Sequence, residues 1–181
     1  MIPEEEKFVN NWLEPATKIF ESNWFKLLEH NDYHFIQYHS RQVIVLPIVE
    51  KNSVVLPRVR RKILGNALWE LPAGGALPQE SSQQAALREL REETGIDIRE
   101  TKRLKAEHSL VVSPNRLPMF PHIFSLQITE QEYEDRLPHD DEVESLGRFS
   151  IQELQTMILN GEIITSITIS ILSRFLLSQG K

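Results

Sequence analysis

The sequence predicts a mixed α+β protein or a layered α/β sandwich, on three observations. Most of its strand-like segments are joined by short turns that are typical of hairpins. One acidic helical segment interrupts them near the middle of the chain, and two further helical segments follow towards its end. A doubly wound parallel sheet would need long crossovers between successive strands instead. The 181 residues suffice for one domain with a sizeable core.

The N-terminal part is predicted to be an appendage, residues 1–40, to a main domain over residues 41–181. Residues 3–13 place apolar side chains on one face of a short helix that ends before Pro15. Lys18–Tyr38 then alternates strand-like segments with turns, and the Asn31-Asp32 pair favours a tight turn. We therefore expect a small antiparallel strand segment here.

The main domain is predicted to begin with a buried hairpin. Val43–Val49 is a nearly continuous apolar run, consistent with a strand buried on both faces, and Val54–Arg60 follows as its partner. A short strand, Ala67–Leu71, then leads into a glycine turn and a helix over Gln83–Thr94, for which Gly95 is a left-handed C-cap. The C-terminal half is predicted to contain strands at Leu104–Val112, Met119–Ile128 and Val143–Phe149, an acidic loop at 130–142, and helices at Ile151–Leu159 and Ser166–Ser178.

Composition excludes several classes of function. A net charge of -6 argues against general nucleic-acid binding, which usually requires a basic face. The absence of cysteine excludes disulfides, thiolate catalysis and cysteine-ligated zinc, and it is compatible with a reducing cytoplasm. The sequence shows no signal-peptide pattern and no apolar run of membrane-spanning length. We therefore expect a cytoplasmic protein with no membrane partner.

A carboxylate cluster at the end of the predicted acidic helix is the main candidate for a functional site. Glu89 and Glu93 are four residues apart and share a helix face, with Glu92 one position round from it. Like charges at this spacing destabilise a helix unless a cation lies beside them. By itself the pattern also fits an exposed, charged helix end. The cluster nevertheless predicts a divalent-metal site.

The residues around this cluster form a longer motif. Gly74 is followed after five residues by Glu80, and after seven more by Arg88-Glu89-Leu90-Arg91-Glu92-Glu93-Thr94-Gly95-Ile96. All nine specified positions match the signature of the Nudix hydrolases, so the chain resembles that superfamily. The resemblance implies a Nudix-type α/β/α sandwich with a mixed central sheet.

The residues before the motif resemble the branch of ADP-ribose and nucleoside-diphosphate-sugar pyrophosphatases. The resemblance lies in Val43–Val49, in the arginines of Arg58–Arg61 and in Trp69-Glu70-Leu71-Pro72-Ala73-Gly74. It implies hydrolysis of a small-molecule nucleotide, with ADP-ribose as the leading substrate. It also implies a homodimer in which the N-terminal strands pair or swap. A pyrophosphohydrolase of dinucleoside polyphosphates or RNA 5′ ends, and a non-catalytic Nudix-fold sensor, are the alternatives.

The same resemblance implies roles for individual residues. Hydrolysis of a diphosphate requires Mg²⁺ or Mn²⁺ held by hard oxygen ligands. The implied ligands are Glu89 and Glu93, with Glu92 sharing a second site and the carbonyl of Ala73 as a further ligand. Arg88 is expected to orient these carboxylates.

Substrate contacts and the general base are expected outside the motif. The resemblance aligns Arg58 and Arg61 with an arginine pair that clamps a diphosphate. Trp69 could stack on a base, although a tryptophan in an apolar strand is more often part of the core. Asp141 and Glu142 are the candidates for the base. The loop that carries them also has His139 and Asp140 where many relatives have glutamate, so the identity of the base stays open.

Overall fold

The computed structural model describes residues 16–179, so the helix predicted over residues 3–13 lies outside the described residues. The described chain contains ten strands and four α-helices. The strands are β1 Thr17–Glu21, β2 Phe25–His30, β3 Tyr33–Tyr38, β4 Gln42–Val49, β5 Ser53–Arg61, β6 Asn66–Trp69, β7 Ala73–Gly75, β8 Lys105–Ala106, β9 His122–Ile128 and β10 Val143–Ser150. The helices are α1 Ser82–Thr94, α2 Glu130–Glu134, α3 Ile151–Leu159 and α4 Ser166–Ser178.

The N-terminal strands form a separate antiparallel sheet in the order β1-β2-β3. Asn31 and Asp32 have φ of 49° and 66°, the left-handed conformation that these residue types tolerate in tight turns. Ile36 donates a backbone hydrogen bond of 2.8 Å to Arg116, which ties β3 to the loop before β9. The predicted antiparallel segment is confirmed. The proposed boundary near residue 40 falls between β3 and β4 and stays a prediction.

A second, seven-stranded sheet forms the centre of the protein. Its main order is β10-β5-β4-β9-β8, with β6 paired to β5 and β7 paired to β4. The β4–β9 pair is parallel and every other pair is antiparallel, so the sheet is mixed, as predicted. Because the β4–β5 connection is a tight turn through Glu50 and Lys51, at φ of 48° and 66°, the predicted hairpin forms.

Helices cover both faces of the central sheet. Alternate residues of β4 point to opposite faces: Val43 and Val45 pack towards α1, whereas Ile44 and Leu46 pack towards α3 and α4. Burial on both faces explains why β4 has a continuous apolar sequence rather than an alternating one. The result is the three-layer α/β/α sandwich that the sequence predicts.

Three segments of the second half differ from the prediction. Of Leu104–Val112 only Lys105–Ala106 is a strand, and Thr101–Arg103 just before it is a 3₁₀ turn. The carbonyls of His108 and Ser109 accept hydrogen bonds from the guanidinium of Arg174 instead of joining a ladder.

The other two differences follow from local sequence. β9 begins at His122 rather than at Met119, after Pro121, which has no N–H to donate. The predicted acidic loop contains α2, because Thr129 and Glu132 form a reciprocal capping box. This capping signal was present in the sequence.

The predicted C-terminal helices are confirmed with the predicted bounds. Ser150 and Glu153 form a capping box at the start of α3. The β-branched start of α4 is helical because Thr168, Ile171 and Phe175 become buried on one face of that helix. None of the helices within residues 16–179 has the length and apolarity needed to cross a bilayer.

Gly95 ends α1 in the left-handed conformation, with φ of 75°, and a Cβ there would overlap the carbonyl oxygen of Leu137. We expect Gly95→Ala to lower the free energy of unfolding by about 2–4 kcal/mol in urea titrations, because backbone strain and the overlap add. Gly161→Ala is the matched control, since Gly161 has φ of 72° but open space around it. That control should cost only about 1 kcal/mol. Equal losses in the two variants would contradict the role of the Leu137 contact.

Candidate active site

The site is built on a turn that lies against the start of β4. In the antiparallel β4–β7 pair, Val43 lies opposite Gly74 and Ile44 opposite Ala73. The carbonyl of Pro72 also accepts a hydrogen bond of 2.9 Å from the backbone N–H of Val45. A Cβ on Gly74 would overlap the carboxylate of Glu89. Glycine at this position lets the Glu89 carboxylate lie directly against the backbone of the turn, and a larger residue would displace that carboxylate.

Helix α1 presents the charged residues of the motif to this turn. It begins at a capping box formed by Ser81 and Gln84, and its apolar residues Ala85, Ala86 and Leu90 are buried in the core shared with β4. With one face fixed by this packing, the next face carries Arg88, Glu89, Glu92 and Glu93. The position of the carboxylates is therefore set by the core.

Arg88 joins three glutamates and the turn. Its Nη1 donates hydrogen bonds of 2.8 Å to both Glu89 Oε1 and Glu92 Oε2, and its Nε donates to Glu80 Oε1 at 3.1 Å. Its Nη2 donates to the carbonyl of Gly75 at 2.8 Å. Burial by itself would lower the pKa of Arg88, but these carboxylates raise it above its ordinary value. The guanidinium thus stays charged and fixes the relative positions of α1 and the turn.

Within the described part of the chain, Glu93 and Glu89 are the two acids whose pKa is raised. Burial, together with the nearby charge of Glu89, raises the pKa of Glu93 to about 8. The backbone N–H of Ala73, 3.3 Å from Glu93 Oε2, opposes this rise only in part. Burial also raises the pKa of Glu89, while Arg88 opposes the rise. Two crowded carboxylates with too little compensating positive charge lie at the Ala73–Gly74 turn.

This donor set fits a divalent cation. Carboxylate and carbonyl oxygens are the ligands that Mg²⁺ and Mn²⁺ prefer, and a cation would relieve the cost of ionising Glu93. Within residues 16–179, acidic and histidine side chains do not form a ready cluster of three or more around one point. The guanidinium of Arg88 occupies one oxygen each of Glu89 and Glu92. Glu89 and Glu93 both lie at the Ala73–Gly74 turn.

Arg61 lies close to the carboxylate cluster, whereas Arg58 does not join it. Two hydrogen bonds, of 2.9 and 2.7 Å, connect Arg61 to both oxygens of Glu70. The bonds to Glu70 raise the pKa of Arg61, and the charges of Glu93 and Glu142 add to the rise. Arg58 instead pairs with Glu144 at 3.2 Å. Sequence reasoning missed Glu70 as a site residue, although it lies in the segment just before the glycine turn.

Trp69 is part of the packing on the α3–α4 side of the sheet. Its ring meets that of Phe149 edge-on, at 5.0 Å between centroids and an interplanar angle of 83°. The guanidinium of Arg58 lies 6.0 Å from the ring centroid of Trp69. Phe149 and Arg58 thus lie beside the half-buried Trp69 ring, and its stacking on a base stays a prediction.

The loop that carries the predicted general base is attached to the end of α1. Leu137 donates a 2.8 Å backbone hydrogen bond to Gly95, and Asp140 donates one of 2.8 Å to Glu92. On the other side, the backbone N–H of Arg60 donates to the carbonyl of Glu142 at 2.9 Å. Asp141 and Glu142 are both exposed. Of the two, Glu142 is the one whose charge acts on Arg61.

The raised pKa of Glu93 has a consequence for stability. The ordinary pKa of glutamate is 4.5. Between pH 4.5 and about pH 8, Glu93 of the folded protein therefore keeps a proton that the same residue releases in the unfolded chain. The free energy of unfolding in EDTA should therefore fall as pH rises from 6 to 8. In urea titrations, we expect the free energy of unfolding of Glu93→Gln to fall over this pH range by on the order of 1–2 kcal/mol less than that of the wild type. Glu162→Gln, at an exposed position, is the control and should show the full fall. An equal fall in all three proteins would contradict the burial of an ionisable Glu93.

The chain is similar to known proteins over most of its length. The NUDIX domain matches residues 38–165. The chain is 25% identical over 125 residues, or 69% of its length, to an ADP-ribose pyrophosphatase of Bacillus subtilis (strain 168). It is 29% identical over 96 residues, or 53% of its length, to the phosphatase NudJ of Escherichia coli (strain K12). The chain spans less than two thirds of either relative, 66% and 60% of their lengths.

A solved structure supports the fold. A crystal structure of an ADP compounds hydrolase superimposes with a TM-score of 0.65 and covers 91% of this chain and 90% of that one. The sequence identity over this superposition is 20%, so the likeness concerns the arrangement of strands and helices. The three-stranded sheet, the mixed sheet and the flanking helices are thus an arrangement already known in that structure.

Proposed function

Because the chain belongs to the NUDIX domain family, we propose that it hydrolyses the diphosphate bond of a nucleoside diphosphate linked to another group. ADP-ribose, cleaved to AMP and ribose 5-phosphate, is the leading substrate. The observation that carries this proposal is the meeting of Glu89 and Glu93 at the Ala73–Gly74 turn, with Arg61 beside them. The names of the ADP-ribose pyrophosphatase and the ADP compounds hydrolase support the choice of substrate.

Mg²⁺ or Mn²⁺ is the proposed cofactor, with Glu89, Glu93 and the carbonyl of Ala73 as ligands and Glu92 at a second position. When bound, such a cation neutralises crowded phosphate oxygens and makes water a better nucleophile. Without a cation, an anionic diphosphate would meet a site rich in carboxylates, and ionised carboxylates would repel it. The proposal therefore requires activity to depend on a divalent cation.

Side chains of this protein position the carboxylates, bind the phosphate and accept the proton in the proposed reaction. Arg88 holds the carboxylates of Glu89 and Glu92 in place by its hydrogen bonds. Arg61, which Glu70 holds by a bidentate pair, offers its charge to a phosphate oxygen. Water attacks one phosphorus atom and the bridging P–O bond breaks, so two phosphomonoesters form. The carboxylate of Asp141 or Glu142 accepts the proton of the attacking water.

A substrate panel tests the proposal. The purified protein is incubated with ADP-ribose, GDP-mannose, diadenosine polyphosphates, NADH and 5′-triphosphorylated RNA, each with Mg²⁺ and each with EDTA. Products are identified by mass. We expect turnover of ADP-ribose to AMP and ribose 5-phosphate, lost in EDTA. Preference for a dinucleoside polyphosphate or RNA would select that alternative, and binding without turnover of any substrate would select a ligand sensor.

The general base is tested by separate replacement of Asp141 and Glu142 with alanine. We expect Glu142→Ala to lower kcat for ADP-ribose by about 100-fold, because general bases contribute 10²–10⁴-fold and Glu142 lies near Arg61. Asp141→Ala should lower it less, since only the backbone carbonyl of Asp141 contacts Arg60. Glu144→Ala, on the same segment, is the control. If neither Asp141→Ala nor Glu142→Ala lowers kcat, the base lies elsewhere.

We also propose a homodimer that forms through the β1–β3 sheet. This sheet leaves large apolar side chains exposed, and Trp24 is 77% exposed. The others are Ile19, Phe20, Tyr33 and Tyr38. Light scattering should give twice the mass of one chain, and Trp24→Ser together with Phe20→Ser should shift it to that of one chain. A wild-type protein that stays monomeric at high concentration would contradict the dimer.

A cytoplasmic location stays a prediction from the absence of cysteine.

A further inference from the structure

A cavity of about 620 Å³ lies on the sheet face opposite α1, between β9 and the C-terminal half of α4. Its size is within the range of sites for small molecules, about 300–1,000 Å³. The floor of the cavity is apolar and is formed by β4, β9 and α4. Its side chains are Leu46, Ile48, Ile123, Ile171 and Phe175. Nothing in the proposed hydrolysis uses these residues.

The cavity is separate from the carboxylate site. Ala73 and Gly74 pair with Ile44 and Val43 of β4, and the cavity begins close by along the strands, at Leu46 and at Ile123, the partner of Ile44. The sheet itself separates the two sites, because they use its opposite faces. Val43 packs towards α1, whereas Ile48 packs towards α4. A ligand in the cavity would therefore not contact the motif of α1.

The rim of the cavity is basic, in a chain whose net charge is -6. Four cationic side chains line it, Lys51, Arg103, Lys105 and Arg174, against one carboxylate, Glu107. Arg103 is paired with Glu132, and Lys105 lies 3.2 Å from Glu107. Arg174 contacts only the carbonyls of His108 and Ser109 among residues 16–179, so no carboxylate there neutralises it. This local excess of positive charge favours an anion at the mouth.

We propose that this cavity binds a small amphipathic anion, with its apolar body on the Ile48–Ile123–Phe175 floor and its charged group at the rim. Floor and rim are complementary to the two ends of such a molecule. Arg174 adds its charge at the rim. Lys51 and Lys105 are both exposed and recognise the anion as point cations, since an exposed ammonium needs no fixed geometry and can leave Glu107 for a ligand. The charged group is a phosphate, sulfonate or carboxylate, which these two lysines treat alike. This site is independent of the proposed hydrolysis.

The test uses two fluorescent probes that share a ring system. 8-Anilino-1-naphthalenesulfonate carries a negative charge, and N-phenyl-1-naphthylamine does not. Both are titrated into the wild-type protein and into the double variant Lys51→Gln/Lys105→Gln. We expect saturable binding of the sulfonate, with Kd about tenfold higher in the double variant, because two nearby charges are lost. The uncharged probe should show no such difference.

Two further variants locate the probe. Lys102→Gln removes a neighbouring exposed charge that does not line the cavity, and it should leave Kd unchanged. Arg61→Gln removes the cation beside the carboxylate site and should also leave Kd unchanged. Circular dichroism and urea midpoints check that every variant is folded. Absence of saturable sulfonate binding, an unchanged Kd in the double variant, or a Kd that rises in Arg61→Gln instead would contradict the proposal.

Discussion

Replacing Glu93 by glutamine is expected to lower kcat for ADP-ribose by roughly 10²–10³-fold while the protein stays folded. Loss of an outer residue around a metal site typically costs 10–100-fold, so loss of a carboxylate ligand should cost more. Folding should survive because glutamine keeps an oxygen that accepts from the backbone N–H of Ala73. Glutamine also resembles the protonated form of Glu93, which the folded protein keeps below about pH 8 in the absence of metal.

Two controls make this experiment specific. Glu162→Gln changes an exposed glutamate between α3 and α4 and should leave kcat unchanged. Raising the concentration of Mn²⁺ should restore part of the activity of Glu93→Gln if the defect is weaker metal binding. Activity of Glu93→Gln close to that of the wild type would remove Glu93 from the metal site.

Replacing Arg88 by methionine is expected to have the second large effect. Methionine fills a similar space but leaves the carboxylates of Glu80, Glu89 and Glu92 facing one another without a cation. We expect kcat to fall about 10–100-fold, since the orientation of these carboxylates is lost. We also expect the free energy of unfolding to fall by about 2 kcal/mol, less than for a fully buried pair because Arg88 is 21% exposed.

Arg88→Lys separates charge from geometry. A lysine restores one positive charge but cannot bond to Glu80, Glu89, Glu92 and the carbonyl of Gly75 together. Stability should therefore return further than kcat. Both are measured by urea titration and steady-state kinetics in parallel. If Arg88→Met keeps full kcat and loses only stability, Arg88 has a structural role alone.

The fold could largely be predicted because its strongest signals are local. The apolar run of β4, the capping and C-cap residues of α1 and the asparagine-aspartate turn each determine their own structure within a few residues. The segment 107–112 could not be predicted in this way. Its apolar pattern suits a strand, yet its carbonyls are held by Arg174, which lies 65 and 66 residues later in the chain.

The candidate site also has a part that local sequence predicts and a part that depends on contacts between distant residues. Glu89, Glu92, Glu93 and Arg88 lie on one helix, so their spacing alone predicts that they meet. The pair between Arg61 and Glu70 could not be predicted, because the register of β5 with β6 places Arg61 opposite Asn66 and does not by itself bring Glu70 to it. The attachment of the 137–142 loop to Glu92 and Gly95 was equally hidden, since it consists of backbone hydrogen bonds. Backbone hydrogen bonds use groups that every residue other than proline carries, so the residue types do not indicate them.

Binding of Mn²⁺, followed by the electron paramagnetic resonance signal of the free ion, tests the central hypothesis most directly. We expect the wild-type protein to remove the free-ion signal saturably and in stoichiometric amount. Glu93→Gln should remove far less, and Glu162→Gln as much as the wild type. Undiminished binding of Mn²⁺ by Glu93→Gln would contradict the assignment of the α1 carboxylates as the metal site.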